Sequence, residues 1–500
     1  MSASYKKEKR NVIPRWRLSR NARKFNELGS VSINTDSDIP MESTFDSLQI
    51  DFNEHRTIWH AFDLVSSAIV LNRLPEVETA INFISDNKQN EPISSSFIKV
   101  LKETNEEDIS TAKSNDRPEI LQIRLRISKC KKILSDDPYN SLAWIDLAFN
   151  YTLLGVTDKA RRAIEVALRL NSTNRFILRS ASRFYIHSGD LEKAYQVVAQ
   201  SDSTIHDPWL ISAAIAAAGA GNRKTRFLDN ARSMLRLNNF SPFDLSELHS
   251  ELGTHELTSG KHNAAKKLFN NSLISATENS LAQAQWAASQ ITSLKNVVNT
   301  STVPFSYEAF TLNSFNNSSW DDAIVNASLW YEDQPFSSRP AIMLSYLYSI
   351  IFDKYDEAIS IIERSLRANQ NNQNLLNNLA YSYACQGNIV KASETIEKVD
   401  LDNISERDKI YILATKGLIE YRRMNIDLGR RFYSNAMEIA NKESAIDAYS
   451  SALLYMAREE LRIHATDAEE AFQKISKRIE NINDPAIKFL NNKIKDELKK

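Results

Sequence analysis

Apolar positions recur at intervals of three and four along most of this chain, the period of an amphipathic helix rather than a strand. Between Asp137 and Asn171, the side chains of Trp144, Leu147, Ala148 and Tyr151 share one helical face. Gly155 interrupts the pattern, and Ala160, Ile164 and Ala167 then form the inner face of a second helix. Asp137-Pro138 reads as an N-cap followed by a first-turn proline. The arrangement returns with Leu178, Ala181, Ser182 and Tyr185; Gly189 falls 34 residues after Gly155, and Ala194 falls 34 after Ala160. It returns again as Leu376, Leu379, Ala380 and Tyr383 before Gly387, followed by Ala392, Ile396 and Val399. Ala392 is itself 34 residues beyond Ala358.

A fixed period of this length marks a chain of stacked supersecondary units. The order of residues resembles the tetratricopeptide repeat: W-x2-L-G-x2-Y, then G, then A-x3-F-x2-A. The best copies span 141–174, 175–208, 246–279, 373–406 and 410–443, with weaker ones at 207–240, 304–337 and 339–372, about 300 residues together. Ser172 and Gln370 stand where the family often has proline. The resemblance implies an all-α, right-handed α-solenoid of helix–turn–helix repeats. Their first helices would line a concave groove in which a partner lies.

The repeat pattern breaks around 276–303, which divides the expected solenoid into two sub-arrays. The expected organisation is an N-terminal arm over 1–55, basic then acidic and largely irregular. A helical region follows over 56–136, with helices expected at 56–72, 76–86, 94–103 and 118–135. A first array covers 137–300, and a second covers 301–500, closed by a charged capping helix pair from Asp467 to Lys500. Within the acidic part of the arm, FDSLQIDF alternates apolar and polar residues, so pairing as a strand with another chain is also open.

Composition sharpens this picture. Only 10 Gly and 12 Pro occur in 500 residues, too few for a turn-rich β or α/β fold. Gly155, Gly189, Gly221, Gly260 and Gly387 fall at turns inside repeats, Gly253 and Gly417 where paired helices cross, and Gly429 at a small-residue position on a second helix. The net charge of −1 gives no overall pull toward nucleic acid or membranes. No apolar run reaches membrane-spanning length, the N-terminus lacks the apolar core of a secretion signal, and Cys130 and Cys385 suggest no disulfide framework. A reducing, cytoplasmic setting is the expectation.

Catalytic motifs are missing: no G-x-S-x-G, no P-loop, no G-x-G-x-x-G and no H-E-x-x-H. His249, His255 and His262 are spaced by six and seven, poor spacing for a helical metal site. The chain is therefore expected to be no enzyme and to need neither metal nor cofactor. Partner-binding candidates come from mapping the groove of the resembled family onto this chain. In the first array they are Arg179, Arg183 and His187, spaced by four on one face and suited to an acidic peptide, carboxylate or phosphate. In the second array they are Asn374, Asn377, Tyr381, Tyr411 and Tyr421, suited to main-chain hydrogen bonding and aromatic contact with an extended peptide.

Residues 1–25 carry Lys6, Lys7, Lys9, Arg10, Arg15, Arg17, Arg20, Arg23 and Lys24, with Trp16 among them, against a single Glu8. Three readings stay open: an arm contacting phosphates or an acidic partner surface, an organelle presequence, or a tail that is solvated or folded back on its acidic neighbour. The leading function is a scaffold or adaptor that holds a partner protein or peptide in the groove, with the basic arm as a second contact. The alternatives are a peptide-responsive sensor-regulator and a nucleic-acid-associated assembly factor acting through the arm.

Overall fold

The structure is a computed structural model and describes residues 10–19, 41–58, 60, 61, 64, 65, 68, 73–86, 116–237, 239–294, 303–402 and 404–499. Regular structure among these residues is helical throughout, with no strand. The chain falls into two compact units: Arg17–Ile177, and Leu178–Lys500 together with the N-terminal residues up to Trp16.

In the unit Arg17–Ile177, the segment expected to be irregular up to residue 55 contains the helix Met41–Glu54. The apolar residues of FDSLQIDF fit a strand period only on paper. As a helix they bring Phe45, Leu48 and Phe52 to one buried face, where they join Leu64, Val65, Ala80 and Ile84, while Ile50 is left exposed. One-sided burial of three large side chains outweighs the alternation. The helices Glu78–Asp86 and Asp116–Asp136 follow, and the helix expected at 94–103 lies outside the described residues. The hairpin Ser141–Leu153 and Thr157–Leu170 comes next. Its first helix starts later than Asp137-Pro138: Asn140 is the cap, its Oδ1 accepting from Ala143 N at 3.0 Å.

The other unit stacks helical hairpins in the manner of a tetratricopeptide-type α-solenoid. Helix Arg175–His187, which enters this unit at Leu178, precedes Leu191–Ala199. Leu191–Ala199 packs on Pro208–Ala220, which pairs with Leu228–Leu237, and Pro242–Thr258 pairs with His262–Ser272. Glu278–Ala288 stands where the sequence pattern breaks. The hairpins resume with Tyr307–Asn316 and Trp320–Asp333, Ser338–Tyr346 and Tyr355–Ala368, Gln373–Gln386 and Ile389–Ile396, then Glu406–Arg422 and Ile426–Lys442. Helix Ala468–Ile479, expected as half of a terminal cap, packs as the second helix of a further hairpin with Ile446–Arg462, leaving Pro485–Glu497 to end the chain.

Local rules explain the element starts. Asp207-Pro208, Ser241-Pro242 and Asp484-Pro485 each combine a side-chain cap with a proline whose missing N–H costs nothing there. One close helix crossing is set by glycine. A Cβ on Gly417 would sit 2.7 Å from the Tyr433 ring, and one on Gly429 2.5 Å from the Tyr421 ring. The two helices meet where neither has a side chain.

Candidate functional site

Residues 10–16 of the arm lie across the first helices of the hairpins between Leu178 and Gln334. Glu251, on Pro242–Thr258, accepts from Val12 N at 2.6 Å. Two amides of Glu278–Ala288 reach the arm's carbonyls: Gln283 Nε2 donates to Arg10 O, and Asn279 Nδ2 donates to Ile13 O at 3.0 Å. Gln334 Nε2 donates to Trp16 O at 3.4 Å. The groove thus reads the arm's main chain through side chains of successive elements, around a tight turn at Val12 where Ile13 N donates to Asn11 O at 2.8 Å.

Two side chains of the arm add specificity. Trp16 is fully buried, edge-on to Phe336 with ring centres 5.3 Å apart and to Phe184 at 6.1 Å. Arg10 holds Glu308 with two bonds, Nε to Oε1 at 3.0 Å and Nη2 to Oε2 at 2.8 Å, while its Nη1 donates to Gln283 Oε1 at 2.6 Å. Arg15 Nη2 reaches the same carboxylate at 2.6 Å, and Arg339 reaches it from Ser338–Tyr346 at 3.1 Å. Glu308 is only 2% exposed. Burial opposes its charge, but Arg10, Arg339 and Arg15 together hold the carboxyl well below the usual range.

Beside Glu308 lies a cavity of about 290 Å³, walled by Arg10, Asn11 and Arg15 of the arm and by Arg183, His187 and Arg339 of the first helices. The Arg183 guanidinium stacks over Phe336 at 4.8 Å. Burial pulls it down to about 9, helped by the like charges of Arg15 and Arg339. His187 Nε2 donates to Ala368 O at 3.0 Å, and its ring stands edge-on to Phe336 at 5.4 Å. Burial, and then Arg183, lower its pKa to about 4, so the ring is neutral at pH 7.

Of the three expected first-array residues, Arg183 and His187 line this cavity and Arg179 does not. Arg179 is 2% exposed, paired with Glu247 at 2.9 Å and stacked on Trp209 at 4.5 Å. Its charge is consumed inside the repeat stack. Of the arm residues, Arg10, Arg15 and Trp16 are buried in this groove instead of projecting toward a partner. Arg17, also buried, belongs to the other unit, where Ser19 N and Oγ donate to Asp146 at 2.7 and 2.6 Å. Lys6, Lys7, Lys9, Arg20, Arg23 and Lys24 lie outside the described residues.

The second-array candidates do not converge. Asn374 and Tyr411 are half-buried. Asn377 is completely buried, with no partner for its amide among the described residues. Tyr381 packs edge-on to Tyr455 at 5.9 Å with Arg458 at its hydroxyl, and Tyr421 lies against Gly429 and bonds Glu460. Both tyrosines are interior packing between helices, so they present no aromatic surface to a peptide.

The residues that grip the arm were not singled out from the sequence. Glu251 and Glu308 are ordinary polar residues on first helices, Asn279 and Gln283 lie on the helix at the break in the pattern, and Gln334 follows a second helix, so no periodic signal marks them as a set. Other chemistry is thin. No group of metal-ligating side chains occurs among the described residues, and none of the described helices is long and apolar enough to cross a membrane. Burial pushes the Cys130 thiol up to about 12, far from a nucleophile at neutral pH.

No protein-family model matches the chain, and no curated protein matches it. Among solved structures it is similar to yeast Tom70, at 14% identity over 92% of this chain and 96% of that one, with a TM-score of 0.31. It is similar to a human IFIT1 dimer with PPP-AAAA, at 14% identity over 94% and 97%, with a TM-score of 0.28. A third likeness is to the P58(IPK) TPR domain, at 14% over 76% and 94%, with a TM-score of 0.20. Likenesses this remote carry no argument about function, which rests on this chain's own residues.

Proposed function

We propose that the chain is a non-enzymatic scaffold whose helices clamp a peptide, and that its own residues 10–16 are a built-in ligand for that clamp. A partner segment with an arginine followed by a tryptophan enters when the arm leaves. The observation that carries this reading is the row of side chains bonded to the arm's main chain: Glu251 to Val12, Asn279 to Ile13, Gln283 to Arg10 and Gln334 to Trp16. Packing alone needs no such row, because buried backbone in a core is ordinarily satisfied by secondary structure. A nucleic-acid role for the arm is disfavoured, since Arg10 and Arg15 already bond Glu308.

The test is exchange. A specific protease site is inserted between residues 20 and 40 and cut, and a fluorescent peptide of residues 10–19 is added in excess. The labelled peptide should replace the cleaved arm with saturable anisotropy, and a peptide with Trp16→Ala should compete at least ten-fold less well. An arm that never exchanges, or a peptide that fails to bind at about 1 mM, would sink the clamp and leave the arm as a fixed part of the core.

A further inference from the structure

The cavity beside Glu308 has more positive charge than its walls can use. Among the described lining residues Glu308 is the one carboxylate, and Arg10, Arg15 and Arg183 share the lining with it. Arg10, Arg15 and Arg339 share that carboxylate, whereas Arg183 rests on the Phe336 ring and makes no hydrogen bond to a described residue. One further donor on the cavity wall lacks a hydrogen-bond partner among the described residues, Nε of Arg15. Asn11 and Arg15 are both more than nine-tenths buried. Buried guanidinium donors ordinarily find acceptors, and a fork of N–H groups left open beside other cations is a poor way to fill a core.

We infer that this cavity binds a small phosphate monoester, its phosphate held by Arg183 together with Arg15, Arg339 and the Asn11 amide. A phosphate brings about two negative charges and three acceptor oxygens, which matches several unshared donors better than a carboxylate does. A volume of about 290 Å³ also exceeds what a bare phosphate fills, since one water takes roughly 30 Å³. Room remains for a short organic group. Ile186, Trp330 and the neutral His187 ring border that space.

The inference rests on the docked arm, which supplies Arg10, Asn11 and Arg15. The experiment titrates the full chain with inorganic phosphate, glycerol 2-phosphate, sulfate and acetate by calorimetry, and repeats the titrations on Arg183→Gln. Trypsin cleavage after Arg10 is followed in parallel. Glycerol 2-phosphate should bind saturably, more tightly than acetate, and weaken at least ten-fold in Arg183→Gln. If Arg183→Gln fails to fold, Asn11→Asp takes its place, adding a repelling charge at the cavity wall, with the same ten-fold expectation. Equal binding of acetate, no binding at 10-millimolar levels, or full retention in the variant overturns the proposal. Should only a phosphopeptide bind, the small-molecule assignment is wrong. If phosphate fails while cleavage after Arg10 stays slow and the arm still exchanges, only this site is lost and the clamp stands.

Discussion

Glu308→Gln is the change that most directly tests how the arm is held. Docking residues 10–16 orders seven residues, a cost of roughly 1.5 kcal/mol each and about 10 in all. Burying Trp16, Val12 and Pro14 returns about 8 kcal/mol, using about 200 Å² for the tryptophan and 25 cal/mol per Å². The four main-chain bonds to Glu251, Asn279, Gln283 and Gln334 add about 1 kcal/mol each. These figures nearly cancel, so the Glu308 cluster decides whether the arm is in or out. Glutamine keeps the shape and one acceptor oxygen but leaves the buried Arg10 and Arg15 without the Glu308 charge. Breaking a buried ion pair from one side typically costs about 3–5 kcal/mol.

Such a loss raises the released population by about two to nearly four orders of magnitude. Arg10 and Arg15 are only 5% and 9% exposed when docked, so trypsin cleavage after either reports release. When reclosing is faster than cutting, the rate follows the open population. Glu308→Gln should therefore be cut at these two bonds at least about 100-fold faster than the parent, with unchanged helical circular dichroism. Glu438→Gln, at an exposed pair with Lys442, should not change the rate. Cleavage of Glu308→Gln within three-fold of the parent would refute the reasoning, because the arm would then be held by packing alone.

Three further outcomes follow from other parts of the fold. Gly417→Ala should destabilise by about 2–3 kcal/mol in urea unfolding, since its Cβ meets the Tyr433 ring at 2.7 Å and the Gly429 carbonyl at 3.2 Å. A compensating Tyr433→Leu should recover part of that loss. Gly387→Ala, at φ +95 in open space, should cost only about 1 kcal/mol from backbone strain. His187 binds its proton less readily when folded than when unfolded, so its contribution is complete above pH 6.5 and is lost as pH falls toward 4. Stability should decline over that window by up to about 3 kcal/mol, and His187→Gln should flatten that part of the profile.

The repeats were legible because each is defined by contacts within about 34 residues, and the faces of Leu178, Ala181 and Tyr185 or Leu376, Ala380 and Tyr383 encode them locally. The stripe of Arg179, Arg183 and His187 was legible for the same reason. Their partners were not: Arg179 is neutralised by Glu247, 68 residues away, and His187 bonds Ala368, 181 away. The arm was hardest. Its charge pattern left a partner surface, a presequence and a solvated or folded-back tail all open, whereas Arg10 closes on Glu308 across 298 residues. Nothing periodic marks such a pairing. Tyr421 was misread for a related reason: the register placed it on a first helix, but the small pair Gly417 and Gly429 draws the helices together and encloses its ring.

The clamp and the anion site meet in one further prediction. Arg10, Asn11 and Arg15 belong both to the arm and to the cavity wall, so an anion bound there stabilises the docked state, and docking raises affinity for the anion by the same factor. At 100 times its dissociation constant, a ligand specific to the docked state contributes about 2.7 kcal/mol. Glycerol 2-phosphate should then slow trypsin cleavage after Arg10 about 100-fold in the parent chain. In Glu308→Gln the gain should be larger, because the bound phosphate replaces the missing counter-charge among four guanidinium groups. Arg183→Gln should show little protection. Protection in the parent that shrinks in Glu308→Gln would mean that the phosphate does not act through the arginine cluster, and the assignment of the cavity would have to be abandoned.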